Sequence, residues 1–258
     1  MNLHLDGIVL RAGTRTLIDG LTQTFRAGEV WCIAGPNGAG KTTLINVLAG
    51  LLKPASGGVS LDDRMLASWR AADLARARAL MPQATHDAFS ATVLDTVLLN
   101  RFPYLTGWGW ESDDDRTAAR TALDALGLAS FASRDVLTLS GGERQRVALA
   151  AVLCQNAPLL LLDEPLAHLD LHHQIDCLHA LLNAAREHKR TVIFSCHDLN
   201  LARRFATHAL LLDGQGGAHA GPVADVLTPE RASAAFGYPL ALIRDGEHEA
   251  LVPSIPRP

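Results

Sequence analysis

The chain has 258 residues, 48% of them hydrophobic, with 23 Lys and Arg against 27 Asp and Glu and a formal net charge of −4. That length suits one large or two small domains with a sizeable core. The charges are spread without a long basic run, which argues against nucleic acid as a partner, and no apolar run approaches the ~18 residues a membrane span requires.

The opening residues, Met1-Asn2-Leu3-His4-Leu5-Asp6, do not read as a signal peptide. The expected setting is cytoplasmic, or attached to a membrane through a partner. Leu5 to Arg11 and Thr16 to Phe25 read as strands around a turn at Ala12-Gly13-Thr14, an antiparallel layer. Val30-Trp31-Cys32-Ile33-Ala34 is a short apolar strand. It leads into Gly35-Pro36-Asn37-Gly38-Ala39-Gly40-Lys41-Thr42, with the spacing G-x-x-x-x-G-K-[ST]. Glycines there let consecutive backbone N–H groups turn inward, a nest for the β- and γ-phosphates of a nucleotide. Lys41 adds a full charge, and Thr42 offers a hydroxyl to Mg²⁺. Leu44, Ile45, Val47, Leu48, Leu51 and Leu52 recur with helical period, so a helix starts at the loop and its N-terminus adds to the attraction for anions.

That helix stops between Gly50 and Pro54. Val59-Ser60-Leu61 reads as a strand, residues 68–78 as a surface helix, and Ala79-Leu80-Met81 as a strand ending at Pro82-Gln83. Residues 84–157 read as an all-helical insertion. Within it, 93–99 is apolar and helical, 102–112 holds turns with Trp108 and Trp110, and Asp113-Asp114-Asp115 opens an Ala- and Leu-rich helix to about Leu126. The triple Asp suits the positive end of a helix. In Leu139-Ser140-Gly141-Gly142-Glu143-Arg144-Gln145, Ser140 caps a helix whose first N–H groups the glycines leave uncovered, a second anion site.

Leu159 to Leu162 is a run of leucines, a fully buried strand of a parallel sheet, and it ends in Asp163-Glu164-Pro165. Asp163 is placed to hold Mg²⁺, and Glu164 to accept a proton from an attacking water. A helix over 170–188, a strand from Thr191 to Ser195, a helix from His197 to Phe205 and a strand from Ala209 to Leu212 follow. The alternation predicts an α/β fold with a mostly parallel sheet. Thr228-Pro229 opens a last helix, and Pro253, Pro256 and Pro258 make the tail extended or disordered. Cys32, Cys154, Cys177 and Cys196 form no C-x-x-C pair and read as reduced structural residues.

GPNGAGKT, LSGGE and LLLLDEP stand in the order and spacing of one family: over nearly its whole length the chain resembles the nucleotide-binding subunit of ABC transporters. The resemblance implies a single ABC ATPase domain over 1–258 with a RecA-like P-loop NTPase core of 1–83 and 158–245. It also implies an N-terminal antiparallel β layer, a helical subdomain at 84–157 and a tail at 246–258. ATP would contact Gly35, Pro36, Asn37, Gly38, Ala39, Gly40, Lys41, Thr42 and Thr43. Glu164, His197 and Gln83 would act in catalysis, and Thr42, Gln83 and Asp163 would manage Mg²⁺. Family members are head-to-tail homodimers, so Ser140, Gly141 and Gly142 would close over the partner's ATP, with Asp170 in the loop that crosses the interface. Two transmembrane permease subunits would sit in a groove near Gln83 and residues 84–105, on the cytoplasmic face of the bacterial inner membrane. A periplasmic substrate-binding protein would be an indirect partner.

Finer resemblances point to cargo. Leu169-Asp170-Leu171-His172-His173-Gln174 and Asn100-Arg101-Phe102-Pro103-Tyr104 resemble segments of the importer subgroup for heme, ferric siderophores and cobalamin. The signature run with Val152-Leu153-Cys154-Gln155 is more similar to the heme members, leaving siderophore or vitamin B12 import as the alternative and a soluble assembly-factor ATPase as the rival of another class. His168 and His172, four apart, invite a metal, but His168 precedes the helix. The family's usual aromatic residue for adenine is missing near the first turn, where Leu10-Arg11-Ala12-Gly13 stands; Arg11 is the expected substitute.

Overall fold

Alternating burial in the first 25 residues builds a hairpin from β1 (Leu3–Ala12) and β2 (Arg15–Phe25), with Leu3 opposite Phe25 and Ala12 opposite Arg15. The computed structural model describes residues 1–83, 89–105, 111–246 and 248–254. β3 (Val30–Ala34) is buried along its length and runs through the phosphate loop into α1 (Lys41–Leu48). β4 (Ser56–Leu61) returns to pair with β1, and the short β5 (Arg64–Met65), which the sequence does not announce, closes the β2-β1-β4-β5 sheet. α2 (Ala71–Ala77) and β6 (Arg78–Met81) bring the chain to Gln83.

α3 (Val93–Leu98), a 3₁₀ segment over Leu99–Tyr104, α4 (Asp113–Asp124) and α5 (Gly141–Gln155) follow. Ser112 and Asp115 form a capping box at the start of α4, and Asp115 is itself buried against Arg101 at 2.6 Å. One Asp of the three therefore has a specific partner rather than a general dipole role. The turn residues Trp108 and Trp110 and residues 84–88 lie outside the described residues.

Next come β7 (Leu159–Leu162), α6 (Leu171–His188), β8 (Thr191–Ser195), α7 (Leu199–Phe205) and β9 (His208–Leu212). β10 (Ala218–Pro222), α8 (Val223–Val226), α9 (Pro229–Phe236), β11 (Leu240–Asp245) and β12 (His248–Pro253) complete the chain. The main sheet has the order β10-β9-β3-β8-β7-β6 and is parallel except for the β10–β9 pair. It divides two cores. Leu160 and Leu162 face one with Phe194 and the inner sides of α5 and α6; Leu159 and Leu161 face the other with Ile193, Trp31 and the N-terminal layer. A strand covered on both faces needs apolar residues at every position, which is why β7 is all leucine.

Of the tail expected to be extended or disordered, residues 248–253 are extended and pair with β11 as a hairpin. Leu251 is buried, and Asn200 grips it through Oδ1 to its N–H at 2.7 Å and Nδ2 to its carbonyl at 3.2 Å. Glu249 adds ion pairs to Arg203 and to Arg244. Proline content alone could not announce these long-range partners. Pro256 and Pro258 lie outside the described residues. β10 and α8 were likewise unannounced, because Ala218 to Pro222 carries little apolar alternation.

Candidate active site

The parallel strands β3, β8 and β7 end at the same edge of the sheet, and each hands over a functional residue there. β3 gives the phosphate loop. A side chain at Gly35 (φ 147°) would run into the Leu212 carbonyl, so the loop lies too close to β9 for anything larger than glycine. Gly40, at φ 103°, caps α1. Lys41 is 5% exposed and donates from Nζ to the carbonyls of Gly35 at 2.9 Å and Pro36 at 3.1 Å. Burial lowers its pKa, while Glu164 and Asp163 pull it back up. A cation is thus already seated where phosphate charge would arrive.

β7 gives Asp163 and Glu164. Asp163 is 2% exposed, and its Oδ1 accepts the Ser195 hydroxyl at 2.7 Å. The Ser195 oxygen in turn accepts the Glu164 N–H at 2.8 Å. Gln145 donates to the Glu164 carbonyl at 2.9 Å. These contacts hold Glu164 at φ 51°, a backbone region that costs a non-glycine residue about 1–3 kcal/mol. The carboxylate then meets both neighbours: Oε1 lies 2.6 Å from His197 Nε2, and Oε2 accepts Gln83 Nε2 at 3.2 Å. Ser195 and Gln145 were not singled out in the sequence, since their work is done through the backbone of a residue far away.

A cleft of about 670 Å³ joins Asn37, Gly38, Gly40, Lys41, Thr42 and Thr43 to Gln83, Glu164 and His197. Pro36 contributes only its carbonyl to Lys41, and Ala39 is buried behind the loop. Ala12, Arg15 and Leu17 complete the lining of the cleft. Arg11 sits on β1 opposite Thr16 and is not among the residues that line the cleft, whereas Arg15 is. The hairpin register puts Arg15 just past the turn and against the cleft, which the spacing alone did not reveal.

Ser140, Gly141 and Gly142 stay outside this cleft. Ser140 is exposed at the start of α5, in a capping box with Glu143: its N–H donates to Glu143 Oε2 at 2.7 Å, and its Oγ accepts the Glu143 N–H at 3.3 Å. A Cβ on Gly142 would stand 3.1 Å from the His168 carbonyl, so the loop carrying Asp170 lies against the signature helix. Asp170 caps α6 and accepts both the N–H (2.9 Å) and the ring (2.8 Å) of His173; the backbone bond first, then the ring, holds its carboxyl below the usual range. His172 faces Asp176, and among the described residues no group of three or more His, Cys, Asp or Glu could hold a metal. A second cleft of about 690 Å³ between α4 and α6 contains none of the expected site residues.

A glycine loop from a central parallel strand into a helix, with an aspartate at a nearby strand end, defines a phosphate-loop nucleoside triphosphatase. The family is narrower. The model of the family described as ABC transporter matches residues 18–167, more than half of the chain, and the chain belongs to the ABC transporter family as one of its ATPases. It is 40% identical over 243 residues to the hemin import ATP-binding protein HmuV of Rhodococcus jostii, covering 94% of this chain and 82% of that one. The iron(3+)-hydroxamate import ATP-binding protein FhuC of Bacillus subtilis is 34% identical, covering 95% and 91%. The cobalamin import ATP-binding protein BtuD of Halobacterium salinarum is 41% identical over 95% of this chain, which spans 61% of its length. Among solved structures, an inward-facing conformation of a metal-chelate type ABC transporter superposes with a TM-score of 0.85 at 28% identity, covering 98% of this chain and 97% of that one. A dimeric post-hydrolysis cassette, MJ0796 bound to ADP and Pi, gives 0.75 at 26% identity, covering 86% and 98%.

Proposed function

We propose that this ATPase powers an ABC importer that carries an iron-containing chelate, heme first, across the inner membrane. The observation that carries the ATPase chemistry is the convergence of Gln83, Glu164 and His197 at the mouth of the phosphate loop. Glu164 takes a proton from the attacking water as its oxygen bonds to the γ-phosphorus and the bond to ADP breaks. His197 fixes the carboxylate and faces the γ-phosphate. Lys41 and the loop N–H groups hold the phosphates. Thr42, Gln83 and Asp163 offer hydroxyl, amide and carboxylate oxygens, a hard donor set suited to Mg²⁺. Bound there with the nucleotide, the ion would neutralise phosphate charge.

The chain works as a head-to-tail homodimer in which Ser140 to Gly142 and Asp170 serve the partner's nucleotide. Residues 84–157 form the helical subdomain that, with Gln83, meets two permease subunits on the cytoplasmic face; a periplasmic binding protein delivers the cargo. That reading is supported by Ser140 lying outside its own cleft and by relatives named for import. Among the described residues no helix is long and apolar enough to cross a membrane, so the span must come from partners. Siderophore and cobalamin import remain the second reading, because FhuC and BtuD match nearly as well as HmuV.

The test is ATPase activity of the reconstituted complex with binding protein loaded with heme, a ferric siderophore or cobalamin. Stimulation by heme alone supports the first reading, and stimulation by another cargo replaces it. A chain that never co-fractionates with a polytopic membrane protein would belong to the assembly-factor class.

A further inference from the structure

All four cysteines are reduced, and two of them meet beneath the active site. Cys32 lies on β3 opposite Phe194 of β8. Cys196 follows β8 directly, and its N–H donates to the Ile33 carbonyl at 3.2 Å. Both side chains enter the same core on one side of the main sheet. A hydrogen bond between the two thiols holds Cys196 below the usual thiol range and, with burial, raises Cys32 well above it. Burial pushes Cys154 up to about 11 and Cys177 to about 12. Access differs as well. Cys32 is fully enclosed, while Cys196 lines a small cleft of about 200 Å³ with Glu164, His168 and His197. Thiolate character and access together set the reactivity of a cysteine, and Cys196 has both. It also stands immediately before His197, whose ring holds the Glu164 carboxylate at 2.6 Å.

We propose that Cys196 is a site of oxidation by peroxides that closes a reversible disulfide with Cys32, and that the bridge stops hydrolysis by drawing His197 away from Glu164. The Cys196 thiolate attacks one peroxide oxygen, the O–O bond breaks, and a sulfenic acid remains. The hydroxide released takes up the proton that Cys196 had lost and becomes water. The Cys32 sulfur then attacks the Cys196 sulfur. An S–S bond forms, the S–O bond breaks, and the Cys32 proton leaves with the hydroxide as a second water. Both sulfurs are oxidised, and the peroxide is reduced. Register makes the bridge a strained one. An offset of two residues across neighbouring ideal strands separates the α-carbons by about 8 Å, beyond the ~7 Å that a disulfide spans without backbone movement. β3 is fixed between β8 and β9, whereas Cys196 lies past the end of β8, so Cys196 is the end that moves. His197 moves with it. Strained disulfides are the readily reduced ones, so a small thiol can reset the switch.

The switch rests on the role proposed for His197, and the experiment keeps bridge and role apart. The full chain is treated with hydrogen peroxide, and its remaining thiols are blocked with iodoacetamide. Non-reducing peptide mapping by mass spectrometry is then read beside ATPase activity and calorimetric ATP binding. A linked Cys32–Cys196 peptide is expected, with Cys154 and Cys177 still free to be alkylated. ATPase activity should fall about 10²-fold, the cost of a misplaced catalytic group, while ATP binding is kept. Dithiothreitol should restore the activity. Untreated Cys32→Ala and Cys196→Ser chains are expected to turn over like the wild type. After peroxide, Cys32→Ala should carry a sulfenic acid at Cys196 that dimedone traps, and Cys196→Ser should stay active. The proposal is overturned by a treated wild type without the linked peptide, or by one that carries it at full activity. Loss of ATP binding together with turnover, or equal inactivation of Cys196→Ser, would overturn it too. A His197→Ala chain with wild-type turnover would refute the role given to His197, whatever the thiols do.

Discussion

The backbone conformation of Glu164, the proposed proton acceptor, has a cause. Ser195 holds its N–H, Gln145 holds its carbonyl, and the carboxylate is left to reach His197 and Gln83. Replacing Glu164 by Gln keeps the shape but turns one accepting oxygen into a donor and removes the proton acceptor. Glu164→Gln is expected to bind ATP normally and to hydrolyse it about 10²–10⁴-fold more slowly, read as phosphate release in single-turnover experiments. Full turnover by that variant would remove Glu164 from the base role. Glu164 itself was legible in the sequence because four leucines and a phosphate loop surround it with context. Ser195 and Gln145 were not, because their partner lies 31 and 19 residues away and only the fold joins them. Arg15 was not legible for a related reason: which residue of the turn lines the cleft depends on hairpin register, and residue type carries no register.

At the scale of elements, the strands and helices that bury a face were readable and those held by single polar grips were not. β7, β8 and α5 carry their assignment in apolar pattern; the β11–β12 hairpin depends on Asn200, Arg203 and Leu251. The start of α4 shows the same dependence. Burial would push the Asp115 carboxyl up, but Ser112 and Arg101 outweigh it and hold it below the usual carboxylate range. A depressed carboxylate adds stability that is fully present above the ordinary carboxylate value and is lost as pH falls through the folded one. Asp115→Ala should therefore cost about 1–3 kcal/mol at neutral pH by leaving Arg101 Nε without its acceptor and undoing the Ser112 capping box, while Arg101 Nη1 keeps the Cys154 carbonyl. The cost should shrink in acid. Urea unfolding of both chains across that pH range measures it, and a pH-independent difference would dismiss the ion pair as its source.

The molecule as a whole is arranged so that one copy brings the phosphate loop, Gln83, Glu164 and His197 to one cleft but not the signature residues. Ser140 is exposed, capped by its own helix and remote from Lys41's pocket. If the partner supplies it, defects on opposite sides must complement. Ser140→Tyr chains and Glu164→Gln chains are each expected to be nearly inactive alone, while an equal mixture regains steady-state ATPase activity, because one site of each mixed dimer has an intact signature and an intact base. No recovery on mixing would argue that each chain completes its own site. The fold-level plan was legible throughout, since the three motifs stand in order along the sequence. The geometry between copies was legible only through family resemblance, as nothing in a single chain's periodicity encodes a second molecule.

Both carboxylate oxygens of Glu164 are already occupied in the lone chain, one by His197 and one by Gln83. A water molecule must compete with those bonds before its proton can be taken. On the proposed reading the lone subunit is thus a machine with its clutch disengaged: the cleft is open to nucleotide while the carboxylate is engaged by its own chain. Gln83 stands two residues past β6 and supplies one of the two bonds. On that reading, hydrolysis waits for whatever breaks these two bonds, and a copy that keeps both consumes little ATP.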